Sequence, residues 1–454
     1  MKDVKIVIGA SFGDEGKGLM TDYFAGEAIG RGEKCLVVCS NGGAQRGHTV
    51  RVSSEVRHVF HHFGSGSLAG ADTYLPYFFI LNPMMFVNEY YELTGEMNTL
   101  YGRKAEPRVY VHPECPVSTP FDMIANQILE EYRGAGRHGS CGMGIWETLV
   151  RSGKQYGELI RMNDDELFDY LSNECRSYLW KRLEEKKVDR YRDEWKEIIE
   201  DDGLIQHYIE DFRTMQNMVE LADVELFGDY DRVIFENGQG LLLDRCRREF
   251  GNNTTPSNTG VRNPFELLRE YNSFTIRNKN QIKAVKPDEC EKHMGDLSDN
   301  KDRISVEVCY VTRTYLTRHG AGRFEEECDK SEINPDMVDL TNVPNPHQGT
   351  IRYGKLSSRS LLRRIREDYD SDKLPQCYET RRTLAVTHLN EYVCDIVKEA
   401  DYISDGETRE TVNMTKNSNK KIINIINKDI ENRQNENVEK IDATYYLNYN
   451  KKRA

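Results

Sequence analysis

Residues Val4–Gly18 read VKIVIGASFGDEGKG, a short apolar run and a glycine-rich turn, followed by Leu19–Ala28, which has the look of a helix. A strand, a Gly-rich turn and a helix in immediate succession, repeated by further short apolar runs, predict an α/β fold built on a mostly parallel sheet. Backbone N–H groups of such a turn, with a helix N-terminus behind them, form an anion cradle, to which Lys17 adds a point charge. The turn departs from the P-loop pattern G-x-x-x-x-G-K-[ST] at both ends, with Ser11 in place of the first glycine and Gly18 in place of the hydroxyl residue. It also carries Asp14 and Glu15, where a plain phosphate cradle avoids negative charge. A carboxylate beside bound phosphates points to metal binding or proton abstraction; the bland alternative is a surface turn with a solvated Asp-Glu pair.

Outward from this turn, Leu36–Cys39 is a second buried strand, ending in Ser40–Thr49 (SNGGAQRGHT). The two loops leave adjacent strand ends, so His48 is within reach of whatever the first loop holds. Asp14 as base and His48 as acid would then form a pair across a phosphate site. Val233–Glu236 (VIFE) and Thr383–Thr387 (TLAVT) have the same strand-then-polar-loop character, and ligands of open α/β folds sit outside such strand ends. Asn163–Val224 is charged and helical in period, a helical segment packed on the sheet. Asn413–Ala454 is Asn/Lys-rich and differs in composition from everything before it. It is expected to be a peripheral helix or a partly disordered tail. The expected organisation is therefore one catalytic domain over 1–412, with 163–224 as a helical segment inside it, and a tail over 413–454.

The chain has 454 residues, with 62 basic against 75 acidic, a net charge of −13. A long-range field of that sign disfavours nucleic acid and anionic membrane as partners. No apolar run reaches the length of a membrane span, and Met1–Asp3 leads directly into a strand-like segment. Eleven scattered cysteines in a chain without an export signal are expected to be reduced thiols in a cytoplasmic compartment.

GASFGDEGKG followed by NGGAQRGHT resembles the signature of adenylosuccinate synthetases, W-G-D-E-G-K-G and G-G-x-N-A-G-H-T. Phe235–Asp244 (FENGQGLLLD) is similar to that family's F-E-G-A-Q-G-x-L-L-D, and Thr255–Thr259 (TPSNT) to T-S-S-N-T. Thr317–Phe324 (TRHGAGRF) resembles T-R-V-G-A-G-P-F, Thr387–Asn390 (THLN) stands at T-K-L-D, and Ser404–Thr408 (SDGET) at S-T-G-P-D-R-T. The resemblance implies a C–N ligase in which a nucleoside triphosphate phosphorylates O6 of a 6-oxopurine monophosphate. The amine of L-aspartate then displaces that phosphate. An amide-like C6=O is a poor electrophile until its oxygen becomes a phosphate ester, and loss of the N1 proton makes O6 nucleophilic, the task of Asp14. His48 would stabilise charge on the transferring phosphoryl group, and Mg²⁺ would neutralise the triphosphate.

The resemblance further places Mg²⁺ on Asp14 and the carbonyl of Gly47, and the transferred phosphate on Lys17, the amides of Gly13, Glu15, Gly16 and Gly18, and Thr49. Gln239 should face the purine. Gln45, Ser140, Cys141 and Thr255 should contact the monophosphate. Arg151 is the candidate for an arginine reaching the 5′-phosphate of a neighbouring subunit, which would require a homodimer. Thr350 and Arg352, in GTIRYGK, stand where the family has an arginine-rich loop for the aspartate carboxylates. The nucleotide base should meet His388, Asn390, Ser404 and Gly406.

Two features set the substrate question. The family's T-K-L-D aspartate accepts from guanine N1–H and N2–H₂, which selects GTP; Asn390 offers one acceptor and one donor group, which suits adenine and permits ATP or dATP. That departure points to the viral 2-aminoadenylosuccinate synthetases, which act on dGMP for diaminopurine DNA and would work in a host cytoplasm. Asp14 points the other way, because those enzymes carry serine there to make room for guanine's amine. IMP is therefore the first expectation, feeding purine biosynthesis, and dGMP the second. A generic NTP-binding switch would account for the first loop alone, leaving His48, Gln239 and TRHGAG without a role.

Overall fold

The computed structural model describes residues 1, 3–285, 303–335 and 349–415, without side chains at 279–285. Ten strands form one sheet: β1 (Asp3–Gly9), β2 (Cys35–Cys39), β3 (Asp72–Leu75), β4 (Val109–Val111), β5 (Glu220–Leu221), β6 (Arg232–Gly240), β7 (Ile304–Arg313), β8 (Tyr378–Thr387), β9 (Tyr402–Ser404) and β10 (Val412–Met414). Their spatial order is β10-β9-β8-β7-β1-β6-β2-β3-β4-β5. Every neighbouring pair is parallel except β9–β10. The expected α/β class is what the chain adopts.

β1 lies between β6 and β7, with Val4 opposite Val233 on one side and Val306 on the other, so β1 and β2 are not adjacent as expected but both pair with β6. Its apolar run is nearly continuous because both faces are covered. Val4, Ile6 and Ile8 join Leu36, Val38 and Phe235 in one core. Val7, with Val37 and Ile234, packs on the other face against Leu19, Phe24 and Ala28 of the helix α1 (Lys17–Gly30). Lys5 breaks the run, and its ammonium is buried against Glu307 of β7 at 2.9 Å.

Residues 163–224 form helices, as read from their period, among them Arg176–Glu185 and Asp202–Met218. Leu179, Tyr208 and Phe212 share a core with Phe86, Phe121 and Val111. The span also hides Glu220–Leu221, an exposed two-residue edge strand too short to show a period. The compositional boundary at 412 falls inside the sheet, since Val412 opens β10. Residues 416–454 of the expected tail lie outside the described residues. Among the described residues no helix is long and apolar enough to cross a membrane.

Candidate functional site

The loop between β1 and α1 is shaped by Glu15. Its carboxylate turns back beneath the loop, accepting from the N–H of Ser11 at 3.0 Å and Gly13 at 2.9 Å and from Lys17 Nζ at 2.8 Å. Two glycines leave the space it fills. A Cβ on Gly9 would stand 2.4 Å from Glu15 Oε2, and one on Gly240 would stand 2.2 Å from the carbonyl oxygen of Ser11. Glu15 is 2% exposed, so its carboxylate is the internal anion of the turn, while the group expected at the phosphate is its backbone amide. Lys17 is equally buried and paired with it.

Above that buried carboxylate the backbone is held in the left-handed region at Gly13 (φ 139°), Asp14 (φ 59°) and Gly16 (φ 90°). A non-glycine residue adopts that conformation only when its surroundings enforce it. Arg313 Nε donates to the Asp14 carbonyl, Thr317 Oγ1 to that of Gly13 at 3.1 Å and Thr387 Oγ1 to that of Glu15 at 2.8 Å. Three strand ends thus fix the loop. α1 then starts without a side-chain cap, behind Gly16, which leaves its first N–H groups for an anion.

The Asp14 carboxylate is partly exposed and accepts from His319 Nε2 at 3.0 Å through Oδ2. Burial works against its charge, but the His319 contact, followed by Arg313 and Lys17, holds it well below the usual carboxylate range. It is therefore an ionised acceptor at neutral pH.

His48 opens a hairpin strand, His48–Arg51, beside the start of α1, where a Cβ on Gly18 would lie 3.0 Å from the Thr49 carbonyl. Its Nδ1 lies 2.8 Å from Glu236 Oε1 and its Nε2 3.1 Å from the Gly238 carbonyl. Burial pushes the ring toward neutrality while Glu236 opposes that, and Lys17 and Arg46 reinforce it. Glu236 is itself buried, yet His48 and Arg46 bring its pKa down to about 2. An ionised Glu236 fixes the Nδ1 proton. The Nε2 proton, when present, has Gly238 as acceptor until a substrate oxygen replaces it.

Between these groups two amides lack partners. Gln239 Oε1 accepts from Asn41 Nδ2 at 3.0 Å, but its Nε2 is buried and unpaired, as are both polar atoms of Gln45. Both face Gly42: a Cβ there would lie 3.2 Å from Gln239 Nε2 and 3.4 Å from Gln45 Nε2. Buried unpaired amides are costly unless a ligand completes them. The Thr49 hydroxyl is likewise buried and unpaired, and Gly47 is exposed.

The remaining expected residues gather around the turn that carries His319. Ala321 N donates to the His138 carbonyl at 3.3 Å, which brings Ser140 and Cys141 alongside; Ser140 Oγ also accepts from Asn126 at 2.9 Å. Burial raises the Cys141 thiol pKa. Arg318 donates to the Asn253 carbonyl at 3.1 Å, which draws in the loop of Thr255. On the other side of Asp14, His388 follows β8 in the left-handed region (φ 59°) with Nδ1 2.7 Å from Thr387 Oγ1, and burial keeps its ring neutral. Leu389 N donates to the Ser404 carbonyl at 3.1 Å, so exposed Asn390 lies beside the Ser404–Gly406 turn.

Two arginines need correction. Arg151 is not on the surface: it holds Asp122 through two bonds at 2.8 and 2.9 Å, and also bonds Tyr170 and the Val117 carbonyl. With its side chain 6% exposed, Arg151 is engaged within its own chain. Arg352 is held by Glu327 at 2.8 and 2.6 Å and by the carbonyls of Gly320 and Gly322. It braces the His319 turn and is not a free fork; Thr350 beside it is exposed.

His319, Glu236, Arg313 and Asn41 stand in the site without a role expected from the sequence. The signal for His319 was available, since it replaces the valine of the motif that TRHGAGRF resembles.

Adenylosuccinate synthetase is the family model that matches, over residues 6–265. The adenylosuccinate synthetase of Neisseria gonorrhoeae is 33% identical over 141 residues, 31% of this chain and 30% of that protein. That of Alkaliphilus metalliredigens is 28% identical over 247 residues, 53% of this chain and 52% of that one. The chain thus matches about half, or less, of the length of these relatives. The fully ligated adenylosuccinate synthetase of Plasmodium falciparum shares the fold at a TM-score of 0.59 and 17% identity, over 91% of this chain and 100% of that one. So does the cyanophage S-2L succinoaminodeoxyadenylate synthetase bound to dGMP and dATP, at a TM-score of 0.55 and 13% identity, over 91% and 96%. With more than half of its residues matched by the family model, the chain belongs to the adenylosuccinate synthetase family.

Proposed function

We propose that this chain is an NTP-driven ligase that joins L-aspartate to C6 of IMP, giving adenylosuccinate, in the cytoplasm. The observation that carries this is Asp14, an ionised, partly exposed carboxylate on the glycine-rich turn, together with the buried unpaired Gln239 Nε2 and Gln45 amide. Asp14 takes the N1 proton, O6 attacks the γ-phosphorus, and the nucleoside diphosphate leaves. His48, held through Nδ1 by Glu236, donates from Nε2 to the transferring phosphoryl oxygens as the imidazolium that the Glu236 carboxylate favours. The aspartate amine then attacks C6, and the C6–O6 bond breaks to release phosphate. The uncapped start of α1 offers N–H groups to the phosphates.

Mg²⁺ fits the donor set, because Asp14 and the Gly47 carbonyl are hard oxygen donors. Among the described residues no group of three or more His, Cys, Asp or Glu could hold a metal ion. A Mg²⁺ here would complete its shell with water and nucleotide phosphate, and when bound it supplies charge neutralisation at the triphosphate.

A second reading, dGMP with ATP or dATP, is supported by exposed Asn390, whose amide suits adenine, and it would make the enzyme one of DNA-base modification. The test is phosphate release with aspartate and Mg²⁺, using IMP, dIMP, GMP and dGMP against ATP, dATP and GTP. Turnover with IMP is the expected result. Turnover confined to dGMP would install the second reading, and no turnover in any combination would overturn the ligase assignment.

A further inference from the structure

We propose that a cavity at the β3–β4–β5 edge of the sheet is a second ligand site, built to take an extended organic polycation such as a linear aliphatic di- or triamine. The site is independent of the ligase chemistry. The candidate active site gathers at the ends of β1, β2, β6, β7 and β8, whereas β3, β4 and β5 continue the sheet beyond β2. The chain leaves the C-terminal ends of those three strands through Tyr77, His112 and Asp223. With residues of the helix Arg262–Val285 they enclose a cavity of about 730 Å³, the size of a small-molecule site. Ligands of open α/β sheets sit outside such strand ends.

The wall's charge selects the ligand. Glu114, Asp223, Glu225 and Glu270 line the cavity, against one guanidinium among the described residues, Arg277, whose Nε donates to the Ser273 carbonyl at 3.4 Å. The His112 ring adds no charge at neutral pH: burial lowers its pKa against the pull of Asp223 and Glu114, and its Nδ1 accepts from the Glu114 N–H at 3.0 Å. Burial raises the pKa of Glu270; the Tyr77 hydroxyl, donating to it at 2.8 Å, opposes the rise, and Glu266, Asp223 and Glu114 add to it. Like charges gathered in this way favour a bound cation.

A second observation lies beneath the wall. Tyr74 is fully buried and shares a core with Val224, which lines the cavity. Among the described residues its hydroxyl has no hydrogen-bond partner. Burial keeps that hydroxyl protonated, and Cys115, Asp223, Glu270 and Tyr77 reinforce this, so it is directed at the acidic wall. A buried unpaired hydroxyl is costly unless a ligand completes it. A metal ion does not fit, because no group of three or more His, Cys, Asp or Glu among the described residues could hold one. The carboxylates stand on separate elements, with Phe274 and Tyr77 among them and the Tyr77 ring 5.3 Å from that of His112. Separated charges between aromatic walls suit several ammonium groups joined by methylenes.

The experiment is titration calorimetry of the full chain with spermidine at an ionic strength of about 0.15 M, where a Debye length of about 8 Å screens loose surface attraction. Wild type should bind one equivalent. Glu270→Gln should weaken binding about tenfold or more, the effect of losing one charge-assisted hydrogen bond. Glu114→Gln, on the exposed rim, should weaken it about threefold, as for an exposed charge pair. Glu92→Gln, which removes an exposed carboxylate from the helix Pro83–Tyr101, should leave it unchanged, and Mg²⁺ at matched ionic strength should not displace the amine. Should Glu270→Gln fail to fold, the contrast between Glu114→Gln and Glu92→Gln decides. Absence of saturable binding, equal weakening by Glu92→Gln, or displacement by Mg²⁺ would each overturn the inference. None of these readouts depends on turnover, so the ligase reading stands or falls separately.

Discussion

Asp14 and His48 are asked to move protons in opposite directions, and each is held by its surroundings. Asp14 is held ionised by His319, Arg313 and Lys17, while on His48 burial favours the neutral ring and Glu236, accepting from Nδ1, favours the imidazolium whose Nε2 proton the mechanism uses. Substituting either side chain should remove its proton-transfer role without disturbing the framework, because the loop is anchored through backbone groups and Glu15. Asp14→Asn and His48→Ala should each lower kcat by about 10² to 10⁴ with thermal unfolding within a few degrees of wild type; near-wild-type rates in both would refute the mechanism. The residues legible in the sequence are those whose chemistry is local, with Asp14, Lys17 and His48 adjacent to a strand end. The side-chain partners of Glu15, Arg151 and Arg352 were not legible, because they are distant or buried groups, respectively the amides of Ser11 and Gly13, Asp122 and Glu327. A charged side chain reads the same whether it meets a ligand or a buried counter-ion.

At the scale of elements, β1, β2, β6 and β8 were readable because each is an apolar run followed by a polar or glycine-rich turn. β5 was not, since two exposed residues at a sheet edge carry no pattern. The β1–α1 unit shows how backbone space limits sequence here. Gly240 has ordinary strand backbone (φ −90°), so its glycine is not needed for conformation. What forbids a side chain is contact: a Cβ would stand 2.2 Å from the Ser11 carbonyl oxygen and 2.5 Å from Glu15 Oε1. Gly240→Ala must displace either the loop backbone or the buried carboxylate, and it should destabilise by about 1–3 kcal/mol and impair turnover, since Asp14 sits on that loop. Gly30→Ala, whose Cβ would meet nothing within 4 Å, is the control and should be neutral or slightly stabilising. Equal urea midpoints for the two variants would show that the loop yields at no cost.

For the whole molecule, the composition and the runs of apolar residues specified a parallel sheet, but the order of its ten strands was not legible. That order depends on which distant segments pair, as when β7 and β6 flank β1 from opposite sides. Two segments far apart in sequence also meet in a way no local pattern announces. Asp22 of α1, fully buried, lies 2.9 Å from Arg409 Nε in the segment after the Ser404–Gly406 turn. A Cβ on Gly26 would stand 2.6 Å from that arginine's terminal nitrogen. This contact straps the candidate nucleotide-base loop to the helix that starts at the phosphate turn. Burial is the dominant influence on Asp22, with Arg409 opposing it and Glu410 and Glu236 adding to it, and the pKa rises to about 7. The ordinary value is 3.8, so between those limits the folded state holds a proton that the unfolded chain releases. The stabilisation is complete below about pH 4 and lost as pH rises through 7, by up to about 4 kcal/mol at 1.36 kcal/mol per unit. Asp22→Asn carries no such proton. Its stability should gain on wild type as pH is raised from 4.5 to 8, measured by urea unfolding, and hold a constant offset above that. Curves that stay parallel across the window would mean that Arg409 keeps Asp22 ionised throughout, and that the strap is an ordinary ion pair.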